Sequence, residues 1–136
     1  MIKLETAQAL KDAGLEWEPK WGDYFVIPEV FADGISMLMD FGLIESYKAN
    51  DPKDNWEDAL KKYIWLPRLD QLLAEVEGRG FIWELIIDRD WNGREYTAKG
   101  YCFYIKNKNM IFREFKADSP EEAAAQALLW ILQQAG

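Results

Sequence analysis

The chain has 136 residues and a formal charge of -8, from 16 Lys and Arg against 24 Asp and Glu. That size suits one compact domain spanning 1–136, and the charge lacks the basic excess of a general nucleic-acid binder. The chain contains no histidine and a single cysteine, Cys102. This excludes imidazole triads, His-ligated zinc and any internal disulfide, and fits a reducing compartment.

The opening MIKLETAQALKDAG has no apolar signal core, and no run approaches the roughly 18 apolar residues of a membrane span. The expectation is a soluble, cytoplasmic protein with no membrane partner. Seven Trp, six Tyr and seven Phe argue against disorder and leave more ring surface than a small core needs.

Residues 4–13 place Ala7, Leu10 and Ala13 on one helical face, and Gly14 supplies a left-handed stop that folds Leu15 back onto Leu10. Two short strands follow around a turn at Pro19 to Gly22, the first through Leu15 and Trp17, the second from Tyr24 to Ile27. Within an otherwise mixed stretch, Ile35 to Phe41 fits a strand or one buried helical turn, and the strand is preferred. After the polar loop KANDPKDN, Asp54 or Asn55 caps a helix carrying Trp56, Ala59, Leu60 and Tyr63.

Pro67 opens a new helix near 67–77, with Leu69, Leu72, Leu73 and Val76 at i, i+3, i+4 and i+7. Gly78 to Gly80 stop it. A strand near 81–89 then sets Phe81, Trp83, Leu85 and Ile87 on one face, and Asn92-Gly93 turns it into a second strand near 95–105. A third strand follows near 110–116. Ser119-Pro120-Glu121-Glu122 announces the last helix, with Ser119 as N-cap and Glu122 at N3 closing a capping box. That helix, near 120–134, carries one broad apolar face made by Ala124, Leu128 and Ile131 beside Ala125, Leu129 and Leu132. Trp130 projects from the other side, among Gln126, Gln133 and Gln134, to be covered either by another helix or a loop or by a partner or second copy.

One internal echo stands out: Leu10...Gly14-Leu15-Glu16-Trp17-Glu18 parallels Val76...Gly80-Phe81-Ile82-Trp83-Glu84. Both read as helix, Gly stop, then x-Trp-Glu entering a strand. Two short copies are too few for a repeat architecture.

Two motifs invite chemical readings. Asp88, Asp90 and Asn92 match the first half of a calcium loop, but Lys99 stands where its bidentate Glu belongs, so no metal site is assigned. Lys99-Gly100-Tyr101-Cys102-Phe103-Tyr104 is similar to the RNP1 strand of RNA-recognition motifs, with Tyr101 and Phe103 on one face. Arg94, Lys106, Lys108, Arg113 and Lys116 add positive charge around it, though Cys102 and Lys106 depart from the motif. Cys102 has no imidazole to activate it, no phosphate or dinucleotide loop occurs, and no catalytic or cofactor-binding residue can be selected among 24 acids.

From Phe115 to Leu132, F-K-A-D-S-P-E-E-A-A-A-Q-A-L-L-W-I-L resembles the close of small phage and prophage proteins, such as the phage ABA-sandwich domain family. The resemblance covers about residues 66–134. It implies an α+β sandwich from a mobile element and carries over no catalytic residue.

The expected fold is therefore α+β, an antiparallel sheet with a C-terminal three-stranded meander and helices packed on it. The leading functional expectation is a non-catalytic protein-interaction or self-association module, with Trp130 as the candidate contact for a protein partner or homodimer. One alternative is single-stranded nucleic-acid binding through Lys99, Tyr101 and Phe103. The other is a small carboxylate- or metal-dependent enzyme.

Overall fold

The computed structural model describes residues 1–18, 20, 22–26, 37–38 (backbone) and 63–135. Of the expected helix carrying Trp56, Ala59, Leu60 and Tyr63, only Tyr63 is among them, and it is not helical but leads directly into a strand. The stretch Pro28 to Tyr47 also lies outside the described residues, except for a two-residue strand at Met37–Leu38 inside the expected Ile35 to Phe41 strand.

In chain order the elements are α1 (Leu4–Asp12), β1 (Tyr24–Val26), β2 (Met37–Leu38), β3 (Ile64–Leu66), α2 (Leu69–Gly78), β4 (Phe81–Trp91), β5 (Tyr96–Asn107), β6 (Phe112–Ala117) and α3 (Pro120–Ala135). The strands form two antiparallel sheets, ordered β2-β1-β3 and β4-β5-β6. This is the expected α+β class, with the C-terminal meander in place. No helix among the described residues is long and apolar enough to cross a membrane.

α1 stops as its sequence dictates. Gly14 takes φ 100°, and Leu15 N donates to Leu10 O at 3.0 Å. The following segment departs from expectation: Leu15 to Glu18 form no strand, because Asp23 pulls the chain into a polar knot. Its carboxylate, 1% exposed, accepts from Trp17 Nε1 and Lys20 N at 2.9 Å each, from Gln71 Nε2 at 2.7 Å and from Arg68 Nη1 at 3.3 Å. Four donors answer the four lone-pair sites of one buried carboxylate. Gln71 Oε1 also accepts from Arg68 N at 2.9 Å, so the same amide caps α2 and ties it to β1. β3 was not expected from the sequence. Ile64 and Leu66 are buried there, and Lys11 Nζ donates to Tyr63 O at 2.8 Å, fixing α1 beside it.

α3 lies between the meander on one side and α1 and α2 on the other. This overturns the single broad face expected for it. Ala123, Ala124, Ala125, Ala127 and Leu128 are all fully buried, since alanines let a helix approach neighbours on both sides. The N-cap holds, with Glu122 N donating to Ser119 Oγ at 3.1 Å. The capping box does not form. The buried Glu122 carboxylate turns to α1 instead, accepting from Lys3 N and, at 2.9 Å, from Thr6 Oγ1. It thereby satisfies donors of the first turn of α1 that no side chain of that helix caps.

The meander core is the row Leu85, Phe103 and Phe115 beneath α3, flanked by Trp83 and Ile105. Trp83 stacks on Phe103 at 6.0 Å. The ladder slips by one residue at Asp88/Arg89. Beside the slip, Gly100 sits at φ 149°, where an added Cβ would lie 2.7 Å from Ala117 O. The Asn92-Gly93 turn is a four-residue loop. Asn92 Oδ1 accepts from Arg94 N and Glu95 N at 2.9 and 3.0 Å, and Gly93 supplies the positive φ.

A candidate interaction surface on the meander

Alternation along three paired strands gives the meander two faces. The inner one meets α3. The outer carries Ile82, Glu84, Ile86 and Asp88 from β4, Gly100, Cys102, Tyr104 and Lys106 from β5, and Phe112, Glu114 and Lys116 from β6, in cross-strand rows set by the register.

Large apolar side chains stand in solvent on this face, Ile82 at 69%, Phe112 at 55% and Ile86 at 40% exposure. Tyr104 stacks on Phe112 at 5.7 Å. The polar residues around them are balanced: Lys116 lies 3.6 Å from Glu114 and 3.9 Å from Asp88. Burial pushes the Tyr104 phenol up from its ordinary pKa, with the Glu114 carboxylate adding to the shift. Burial likewise raises the Cys102 thiol, helped by the charge of Asp88. Cys102 is sunk between its cross-strand partners Ile86 and Lys116. A raised thiol pKa disfavours the thiolate, so its position suits packing rather than nucleophilic chemistry.

Beyond the slip, β4 and β5 run on as an exposed hairpin, tipped by Trp91 (58%) and Tyr96 (65%) with ring centroids 4.9 Å apart. β4 is an edge strand of eleven residues. Long apolar edges of this kind are the part of a sheet most prone to pair with another chain.

The residues singled out from sequence fall in different places. Trp130 does not project into solvent. It is half-buried, edge-on to Phe81 at 6.5 Å, tilted on Phe115 at 6.4 Å, and covered by the Arg113 guanidinium 5.2 Å from its ring centroid. The sheet covers it, because α3 is enclosed on both sides. Tyr101 and Phe103 do share a face, but it is the inner one. Phe103 is fully buried and cannot stack on a base, which removes half of the RNP1-like platform. Lys99 pairs with Asp90 at 2.6 Å, and that bond raises the Lys99 pKa. The calcium-like residues are spoken for as well: Asp90 by Lys99, Asp88 by Lys116, and Asn92 Oδ1 by backbone donors of its own turn.

Ile82, Ile86 and Phe112 were not singled out from the sequence. Their signal was present, since β4 is apolar at even positions 82 and 86 as well as at odd positions 81 to 87. A strand with one solvated face alternates cleanly instead.

No protein-family model, curated protein or solved structure matches the chain.

Proposed function

We propose that the protein is a non-catalytic interaction module that associates through the outer face and β4 edge of its meander, with a second copy of itself as the partner. One observation carries this reading: Ile82, Ile86 and Phe112 stand exposed together on the outer face, with Ile82 and Phe112 in one cross-strand row. Apolar side chains scattered singly over a surface need no explanation, whereas several grouped on one face mark a contact site.

A second copy suits the β4 edge. Antiparallel pairing of two β4 strands about Leu85 sets Trp83 opposite Ile87, Glu84 opposite Ile86 and Ile82 opposite Asp88. No like charges then face one another directly, and the two meanders merge into one continuous sheet. The nucleic-acid alternative keeps Lys99 and Tyr101 but loses Phe103 to the core.

The test is light scattering on the native protein and on Ile82→Ser/Ile86→Ser, across a concentration series and at two salt concentrations. The expected result is a native dimer that persists in salt and a monomeric, folded variant. A native protein that stays monomeric at every concentration would sink the reading.

A further inference from the structure

On the opposite side of the meander from the outer face, a cleft of about 540 Å³ opens where α3 ends. Trp130, Phe81, Ile111 and Ile131 supply its apolar walls, with Arg113, Arg79, Asn107 and Gln134 at its polar rim. Its size and composition, an apolar body with a few convergent polar groups, are those of small-molecule sites.

The two arginines differ. Arg79 is held by Glu75 one helical turn earlier. Arg113 is exposed, and among the described residues no carboxylate pairs with it. Its guanidinium rests instead on the face of Trp130. In a chain of net charge -8, a guanidinium on an aromatic floor with no carboxylate among the described residues to take its donors is a site for an anion. A carboxylate can take two parallel hydrogen bonds from the guanidinium while Trp130 holds its plane in place.

We infer that the cleft binds a small amphipathic carboxylate, an aryl or alkyl chain whose carboxylate meets Arg113 and whose apolar body lies on Trp130 and Phe81. The negative end of the α3 dipole lies at Gln134 and Ala135. It sets the orientation, with the apolar end toward α3 and the carboxylate toward β6. None of Ile82, Ile86 or Phe112 lines this cleft, so the site is independent of the association proposed above.

The experiment is a nuclear magnetic resonance titration of the isotope-labelled full chain with phenylbutyrate and, separately, with its neutral amide. Phenylbutyrate is expected to shift the Trp130 indole and Arg113 guanidinium signals saturably, and the amide to bind about tenfold more weakly for want of one charge-assisted pair. Arg113→Gln, an exposed substitution that spares the core, is expected to bring the acid down to the affinity of the amide and leave the amide unchanged. Trp130→Phe is expected to weaken both. Equal binding of acid and amide, shifts confined to the outer face or hairpin tip, or an unchanged acid affinity in Arg113→Gln would each overturn the inference.

Discussion

Two stretches of this chain read alike and end differently. After Gly14 and after Gly80 the sequence offers an apolar residue, then x-Trp-Glu, and both glycines adopt positive φ, 100° and 89°. Phe81 to Glu84 continue into an eleven-residue strand paired with β5, whereas Leu15 to Glu18 form none. The two indoles show why. Trp83 Nε1 donates to Glu77 at 2.8 Å, back toward the preceding helix, which leaves its backbone free for the ladder. Trp17 Nε1 donates forward to the buried Asp23, and the chain curls around that carboxylate. Local sequence sets where each helix stops, and the next available partner sets the path of the chain beyond it. The N-terminal layer holds carboxylates inside it, its own Asp23 and Glu122 reaching in from α3, while the C-terminal meander turns isoleucines and aromatics outward.

The contrast can be broken most severely at Asp23. Asp23→Ala leaves Trp17, Lys20, Arg68 and Gln71 donors without their acceptor, and is expected to cost about 3–5 kcal/mol in urea unfolding. A cost below about 1 kcal/mol would mean that the knot does not organise this layer. Glu122→Gln keeps the shape and one acceptor oxygen for Lys3 and Thr6 but removes the charge at the α1 N-terminus. The expected loss is about 1–2 kcal/mol, with hydrogen exchange rising first in α1.

On the meander side the effects shrink and change sign. Met110 holds φ 64° in the β5–β6 turn, a conformation that disfavours a side chain, so Met110→Gly should gain about 0.5–1 kcal/mol in thermal unfolding. Ile82→Ser/Ile86→Ser is expected to change monomer stability by less than about 0.5 kcal/mol per site while abolishing association. That separation, tested by unfolding the variant at low concentration, distinguishes an outward-facing contact surface from a misread core.

Much of this architecture was legible in the residues. The Gly14 stop, the leucine stripe of α2, the alternation of Phe81, Trp83, Leu85 and Ile87, and the Ser119 cap each state a local rule that the structure obeys. The elements that could not be read depend on distant partners. Ile64 to Leu66 is too short to separate strand from helix end by periodicity, and becomes β3 because β1 lies alongside. Glu122 has the sequence position of a capping-box residue, yet its carboxylate serves another helix. The candidate surface was half visible: β4 carries apolar residues at 82 and 86 in plain view, but nothing local says which face α3 covers. Trp130 illustrates the converse, since its polar neighbours along the helix suggested exposure and the sheet beneath them covers it.

The link between Glu122 and Lys3 spans 119 residues. α1 is a nine-residue segment, too short to hold a helix alone, and the carboxylate that caps it reaches it only once α3 has docked. α1 must therefore wait for α3, and its order is completed only by a residue made more than a hundred positions downstream.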